Sequence, residues 1–160
     1  MRVVYQRVSR ASVTADGILC ATIGKGALLL IGVGQNDTPA DAVMLAKKTV
    51  ELRVFEDDNG RMNLSLADVG GDVLAVSNFT LYGNCRRGRR PDFTSAGAPA
   101  AAKELYETFL RELKALGVAN VAAGVFGADM AIDMVADGPV TLWLDSEEMA
   151  APRRQKEGAL

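Results

Sequence analysis

The 160-residue sequence contains no histidine. This absence excludes the catalytic triads and dyads that pair a serine or a cysteine with histidine. It also excludes the helical His-Glu-x-x-His zinc motif and the histidine-based zinc deaminase motif. The glycine-rich phosphate loop is missing too, because Gly24-Lys25-Gly26 is too short to serve as one. An enzyme with this sequence must use hydroxyls, carboxylates, backbone groups or its substrate, and we expect no cofactor and no metal.

Cysteines and long apolar runs are also scarce. Cys20 and Cys85 are the two cysteines, too few and too far apart for a disulfide scaffold or a zinc knuckle. The longest apolar run, 27–31, is far shorter than a membrane span. Arg2 and Arg7 interrupt the first apolar residues, which argues against a signal peptide. We therefore expect a cytoplasmic protein without membrane contact.

The chain carries no excess of positive charge. Its net charge is −2 and its pI is about 5.2, so any contact with RNA must depend on a local basic patch. Hydrophobic residues make up 49% and charged residues 24%, an ordinary globular composition. At this length we predict one domain over 1–145, followed by a polar C-terminal tail over 146–160.

Strand patterns dominate the sequence. β-Branched residues, partial alternation and glycine-containing turns predict strands at 2–13, 18–23, 27–33, 52–55, 62–66, 72–79, 118–126, 130–135 and 140–144. The acidic stretch Asp57-Asp58-Asn59-Gly60 is interpreted as a hairpin tip, because a calcium loop needs a longer pattern that ends in glutamate.

Two helices stand apart from these strands. Thr38 and Pro39 are typical of a helix start, and the apolar spacing continues for about three turns. A second helix is predicted over 99–116, with Gly117 as its C-terminal stop. The fold class is therefore α+β, with a largely antiparallel, barrel-like sheet and two main helices.

Small polar residues follow the buried strand at 72–79. Ser77, Asn78 and Thr80 surround Phe79 where the apolar run ends. Such a strand end is typical of simple capping, and it is also a common position for a functional site, because the strand positions its polar groups rigidly. The pattern alone leaves both interpretations open.

Gly138-Pro139 lies between two apolar, strand-like runs. Proline removes a backbone donor from a strand ladder, so it marks an edge, a bulge or a turn. Glycine relaxes the restriction that proline imposes on the preceding residue, and the Gly-Pro bond can be cis. An ordinary turn at a strand end and a specialised backbone element are both consistent with this stretch.

Arginines form one dense cluster, Arg86, Arg87, Arg89 and Arg90. The cluster is either a solvated loop or a local grip for the phosphates of a nucleic-acid end. Further positive charges lie in the predicted tail at Arg153, Arg154 and Lys156. Two more arginines, Arg7 and Arg10, fall within the first predicted strand, where charged side chains typically face solvent.

The stretches Ser77-Asn78-Phe79-Thr80-Leu81 and Ala136-Asp137-Gly138-Pro139-Val140-Thr141 resemble the paired motifs of the D-aminoacyl-tRNA deacylases, Ser-Gln-Phe-Thr-Leu and Asn-x-Gly-Pro-Val-Thr. The resemblance covers nearly the whole chain and includes 6–13, 62–64, 88–91, 126–130 and 142–144. Asn78 replaces the family's glutamine, and Ala136 replaces its asparagine.

The resemblance implies an enzyme that hydrolyses the ester of a tRNA whose 3′-terminal adenosine carries a D-amino acid, or glycine. It implies that the 2′-hydroxyl of that adenosine helps to activate water. Backbone N–H groups around Phe79 and Thr80 would stabilise the oxyanion. A nucleophilic Thr80 or Ser77 is the less favoured alternative, since no base is in evidence to activate either hydroxyl.

The resemblance also assigns further site residues. Phe126 and Met130, which composition alone would also place in the core, would border the adenine, and backbone around Ala102 would help to hold the amino group. Gly138-Pro139 would be cis, lie near Arg7 and enter the pocket of the other subunit of a homodimer. There its carbonyls would exclude L side chains.

Asn78 and Ala136 also allow a different class of function. A non-catalytic module on the same fold could bind nucleic-acid ends or a partner without turnover. Asn78 is one methylene shorter than glutamine, and Ala136 lacks the amide that would brace the Gly-Pro segment. These differences affect positioning within the site more directly than they affect the class of reaction.

Overall fold

The computed structural model describes residues 1–152. The predicted tail charges Arg153, Arg154 and Lys156 lie outside these residues. The described chain forms the strands β1 (Arg2–Ala15), β2 (Ile18–Ile23), β3 (Gly26–Gly32), β4 (Arg53–Glu56), β5 (Met62–Ser65), β6 (Asp72–Ser77), β7 (Val121–Ala123) and β8 (Met130–Asp145). The α-helices are α1 (Pro39–Glu51), α2 (Pro99–Ala115) and α3 (Ser146–Ala150), and a 3₁₀ helix spans Phe79–Tyr82.

The main sheet is built around β1. Its strand order is β2-β1-β3-β6-β7, and β8 pairs with β1 along the other edge. The predicted α+β class and the barrel-like sheet are confirmed. The sheet is mixed rather than largely antiparallel, because β6 runs parallel to both β3 and β7. These parallel pairs follow from long crossover connections, which carry α1 before β6 and α2 before β7.

The strand β8 corrects one prediction. The stretches 130–135 and 140–144 form a single strand that pairs with β1 from Ala15↔Met130 to Arg2↔Asp145. Gly138-Pro139 lies inside this strand, where the register is irregular between Gln6 and Arg10 of β1. The prediction of two separate strands is therefore wrong, and of the two interpretations of Gly138-Pro139 the ordinary turn at a strand end is excluded. The proline is accommodated in a bulge, where the ladder does not need its missing N–H.

Other boundaries also shift. The strand predicted at 72–79 ends at Ser77, and the strand predicted at 118–126 is only Val121–Ala123. The acidic hairpin tip at 57–60 is confirmed between β4 and β5. Within the predicted polar tail, residues 146–150 form α3.

The core lies between the main sheet and helices α1 and α2. Helix α1 begins as predicted, with a capping box between Thr38 and Asp41 and Pro39 in its first turn. Helix α2 buries one stripe at helical spacing, Ala102, Leu105, Tyr106, Phe109 and Leu113. Because this stripe packs on the sheet, one face of α2 is held rigidly beside the end of β6. Among the described residues, no helix is long and apolar enough to cross a membrane.

Candidate active site

A cavity of about 630 Å³ opens where β6 ends. It brings together all the predicted catalytic and substrate-binding residues, which come from three separate parts of the chain: Ser77, Asn78, Phe79, Thr80, Ala102, Phe126 and Met130. The volume is in the range of pockets that hold a small molecule or a nucleoside.

The 3₁₀ helix forms the polar wall of this cavity. Its start is fixed by the Asn78 N–H, which donates to the Ile31 carbonyl at 2.7 Å. Its end packs against Gly34, where an added Cβ would lie 2.6 Å from the Tyr82 ring. Only glycine at position 34 permits this close approach. The turn is therefore held between β3 and β6 rather than free to move as a loop.

Two backbone N–H groups at the start of the 3₁₀ helix differ in their partners. The Thr80 N–H donates to Asn78 Oδ1 at 3.2 Å, so Asn78 caps the helix. The Phe79 N–H donates to no partner found among residues 1–152. An unpaired backbone donor at a cavity wall is suited to an oxyanion. Phe79 is therefore the better placed of the two predicted donors.

The hydroxyl of Thr80 contacts no base among residues 1–152. Thr80 Oγ1 donates to the amide oxygen Asn78 Oδ1, which is a poor proton acceptor in catalysis. Among the described residues that line the cavity, Asp129 alone carries a carboxylate, and it is exposed. The geometry thus favours a site in which the protein supplies hydrogen-bond donors rather than a nucleophile.

Aromatic and thioether groups form the apolar end of the cavity. The Phe126 ring lies 5.7 Å from the Tyr106 ring, at an interplanar angle of 50°. Met130 packs so closely on Gly124 that a Cβ there would lie 2.6 Å from its sulfur. Phe126 and Met130 are half-buried and also touch the core, so the core and site interpretations both apply. A flat aromatic ligand such as adenine fits such a wall.

Helix α2 contributes a residue that the sequence analysis missed. Tyr106 lies one helical turn after Ala102, lines the cavity and donates its hydroxyl to the Ala75 carbonyl at 3.0 Å. Burial raises the pKa of Tyr106, so its hydroxyl stays neutral. The side chain forms part of the cavity wall and is held in place by its hydrogen bond. Spacing of i, i+4 from Ala102 was the pattern that could have identified it. Ala102 itself presents a side-chain wall, because its N–H donates to the Ala98 carbonyl at 2.8 Å.

Arg7 contradicts the expectation that it faces solvent, whereas Arg10 is exposed as predicted. Arg7 is only 4% exposed, since its guanidinium crosses the bulge opposite Gly138-Pro139. Its Nη1 donates to the Val54 carbonyl at 2.6 Å, and its Nε lies 3.0 Å from Asp137 Oδ2. Arg7 thus lies beside Gly138-Pro139 in the folded chain.

Gly138-Pro139 lies outside the cavity of its own chain. The bond is cis, as predicted, and both residues are exposed. Ile132, at the cavity, pairs with Val13, whereas Gly138 lies beside Arg7. Six residues of β1 separate Val13 from Arg7, which corresponds to roughly 20 Å along the strand. Gly138 and Pro139 therefore do not contribute to the cavity that their own chain forms.

The arginine cluster forms an exposed loop. A bridge between Asn84 and Asp92 closes its base, and Gly88 has a φ of 67° at its tip. Arg86, Arg87, Arg89 and Arg90 are all exposed. The loop follows the 3₁₀ helix directly, and its four arginines do not line the cavity at the end of β6.

Comparison with known proteins identifies relatives over almost the full chain. The family model for D-Tyr-tRNA(Tyr) deacylase matches residues 4–145. The D-aminoacyl-tRNA deacylase of Roseiflexus castenholzii is 54% identical over 157 residues, which cover 98% of this chain and 99% of that protein. The D-aminoacyl-tRNA deacylase of Thermomicrobium roseum is 56% identical over 149 residues, which cover 93% and 96%.

A solved structure gives the same fold. The structure named c-Myc DNA Unwinding Element Binding Protein superposes with a TM-score of 0.85 at 37% identity, and the match covers 91% of this chain and 98% of that one. The family match, the sequence identity to individual members and the cavity at the end of β6 all indicate the same family. The chain belongs to the D-Tyr-tRNA(Tyr) deacylase family.

Proposed function

We propose that this protein hydrolyses the ester bond of D-aminoacyl-tRNA and releases the free D-amino acid and the tRNA. One observation carries the proposal: Phe79, whose N–H has no partner among the described residues, lines a cavity that is also lined by apolar and aromatic side chains. The terminal adenosine would lie against Phe126 and Met130, and the ester carbonyl would point at the 3₁₀ helix. Family membership supplies the class of substrate.

In the proposed reaction, water adds to the ester carbonyl carbon and the carbonyl oxygen becomes an oxyanion. The Phe79 N–H stabilises that charge. The 2′-hydroxyl of the substrate orients the water, because the described cavity offers no suitable base. Collapse of the intermediate breaks the bond to the 3′-oxygen, which leaves with a proton. Glycine on the tRNA would react in the same way, since it presents no side chain to exclude.

We propose that chiral selection operates between two copies of the chain. The exposed Gly138-Pro139 carbonyls would enter the partner's cavity and fill the space that an L side chain needs. Support comes from the uncovered apolar side chains of strands β2 and β8, which flank β1 and would become buried in a homodimer: Ile18, Leu19, Met134, Val135 and Trp143.

The direct test is hydrolysis of D-tyrosyl-tRNA beside L-tyrosyl-tRNA, with glycyl-tRNA as a third substrate. We expect rapid release of D-tyrosine and glycine, and release of L-tyrosine no faster than without protein. Equal rates for the two tyrosyl substrates would contradict chiral selection. Absence of hydrolysis with all three would contradict the proposed function.

A first prediction separates backbone catalysis from a nucleophile. Thr80→Ala removes the hydroxyl and keeps the Thr80 N–H, so kcat should fall less than about tenfold. Removal of a true nucleophile would cost about 10³-fold or more. Single-turnover deacylation of D-tyrosyl-tRNA measures this. Ser77→Ala is the matched control for the other hydroxyl. Activity at background level in either variant would restore the nucleophilic mechanism.

A second prediction concerns the arginine loop. Neutralising Arg86, Arg87, Arg89 and Arg90 together should weaken tRNA binding and flatten its dependence on salt. The reason is that each lost phosphate contact reduces the slope of log K against log salt by roughly 0.7 to 0.9. Filter binding at several salt concentrations measures that slope.

The matched control for this loop removes four exposed positive charges from the helices: Lys47, Lys103, Arg111 and Lys114. Its change in net charge is the same, but we expect the wild-type slope. If both four-residue variants have the same slope, the loop makes no specific phosphate contact and is simply solvated.

A second candidate function is binding of nucleic acid without turnover. The observation that favours it is the similarity to the structure whose name describes a DNA-unwinding-element binding protein. Single-stranded DNA added to a deacylation assay distinguishes the two. If the protein is a deacylase, it continues to hydrolyse the tyrosyl ester as long as the added DNA does not displace the tRNA. A binding module binds the DNA at least as tightly as tRNA and hydrolyses neither tyrosyl ester.

A further inference from the structure

A second cavity, of about 450 Å³, lies beside the candidate active site. Each of three chain segments contributes one residue to the first cavity and an adjacent or nearby residue to the second. Val33 faces the first and Gly34 the second, Thr80 faces the first and Tyr82 the second, and Ala96 faces the first and Ser95 the second. The two cavities are therefore neighbours across a thin wall. A chain-like ligand that ends in the first cavity can continue into the second.

Two guanidinium groups line this second cavity. The Arg2 guanidinium lies 4.3 Å from the centre of the Tyr82 ring, while its Nε donates to Asp145 and its Nη1 to the Leu81 carbonyl, both at 2.9 Å. These contacts fix the plane of the group, and its Nη2 has no partner among residues 1–152. Arg86, the first arginine of the basic loop, is exposed and has no ion pair among those residues. Oriented guanidinium groups suit a phosphate.

The two carboxylates that line the second cavity, Asp37 and Glu147, differ in how strongly they would repel a phosphate. Asp37 accepts the Gly34 N–H at 2.6 Å and the Tyr82 hydroxyl at 3.1 Å, and its other oxygen accepts the Met1 amino group. Its charge is thus satisfied within the protein. Glu147 is exposed at the rim and is the remaining carboxylate that lines the cavity. Arg2 is paired with Asp145 and offers an oriented N–H at Nη2, whereas Arg86 has no ion pair among residues 1–152 and supplies the unpaired positive charge of the cavity.

Amide side chains supply the remaining polar surface. Gln35, Asn36 and Asn84 line the cavity, and each carries both a donor and an acceptor. Gln35 is oriented, because its amide nitrogen donates to the Thr94 carbonyl. Amides of this kind hydrogen-bond the edges of unstacked bases in single-stranded RNA. The second cavity thus contains groups that can bind a phosphate and groups that can bind a base.

We propose that the second cavity binds the nucleotide that precedes the terminal adenosine of the substrate. The phosphate that links this nucleotide to the adenosine lies between Arg2 and Arg86, and its base lies among Gln35, Asn36 and Asn84. This assignment rests on the proposed function, because the first cavity must hold the terminal adenosine. The protein then binds the last two nucleotides of the tRNA and not only the terminal aminoacyl-adenosine.

Two non-hydrolysable probes test the proposal: 3′-(D-tyrosylamino)-3′-deoxyadenosine, and the same compound with cytidine 3′-monophosphate linked to its 5′-oxygen. We expect the added nucleotide to tighten binding to the wild-type protein by about tenfold or more. Arg86→Ala should reduce this gain to less than about threefold. Arg2→Lys, which keeps the charge and loses the planar fork, should also reduce it. Isothermal titration calorimetry gives the ratio of the two Kd values for each variant.

Lys114→Ala, at the far end of α2, is the matched control and should keep the full gain. An equal gain in wild type, Arg86→Ala and Arg2→Lys would overturn the assignment, as would the absence of any gain in wild type. The outcome is separate from that of the proposed function. Failure to hydrolyse D-tyrosyl-tRNA contradicts the deacylase activity, whereas the binding ratio measures the second cavity whether or not the ester is cleaved.

Discussion

Phe79→Pro is expected to lower kcat for D-tyrosyl-tRNA about 10²- to 10³-fold, because proline has no N–H to donate to the oxyanion. The expected loss is large because the neighbouring Thr80 N–H is already engaged by Asn78 Oδ1. We therefore expect the Phe79 N–H to carry most of the stabilisation of the oxyanion.

The substitution fits the local backbone. Residue 79 is the first position of the 3₁₀ helix, where proline is tolerated, and Asn78 before it is already extended, with φ −146° and ψ 90°. Folding can be checked by circular dichroism and thermal unfolding. The matched control is Phe79→Ala, which keeps the N–H and loses only the ring that packs 5.2 Å from Phe93. Pre-steady-state deacylation should separate the two variants by at least about tenfold. Equal kcat values in two folded variants would remove the Phe79 N–H from the mechanism.

Much of this site could be predicted from the sequence, because local patterns determine it. The apolar run of β6 followed by Ser77 and Asn78 locates the end of a core strand. Family resemblance added Ala102, Phe126 and Met130, which no local pattern would have brought to the same cavity. The three segments meet because each is adjacent to the end of β6.

The residues that could not be predicted depend on tertiary contacts. Arg7 has the sequence context of a solvent-facing strand residue, yet the bulge and the β4 carbonyl at Val54 bury it. The continuity of β8 through Pro139 depends on pairing with a strand more than a hundred residues away. Likewise, no sequence pattern places Arg2 beside Arg86, since β1 and the arginine loop meet only in the folded chain.

Arg7→Lys is expected to reduce discrimination against L substrates by at least about tenfold while D-tyrosyl-tRNA remains a good substrate. The guanidinium bridges Val54 and Asp137, and it also lies 3.9 Å from Glu56 Oε1. Lysine keeps the positive charge among these acceptors but cannot contact all of them at once. The Gly138-Pro139 segment should therefore lose its fixed position without unfolding of the chain. Arg10→Lys, at an exposed arginine of the same strand, is the matched control.

Mixed dimers then decide whether the Gly138-Pro139 segment acts on the partner's cavity. The Phe79→Pro subunit has an inactive cavity and an intact Gly138-Pro139 segment, whereas the Arg7→Lys subunit has the reverse. In a dimer of the two, the one active cavity receives the intact segment of its partner. Titrating Arg7→Lys protein with excess Phe79→Pro protein should therefore suppress hydrolysis of L-tyrosyl-tRNA and preserve hydrolysis of the D substrate. Adding Phe79→Pro, Arg7→Lys double-variant subunits should not suppress it. If hydrolysis of the L substrate persists in the mixed dimers, the segment acts within its own chain or not at all. The separation of roughly 20 Å along β8 makes the first of these untenable.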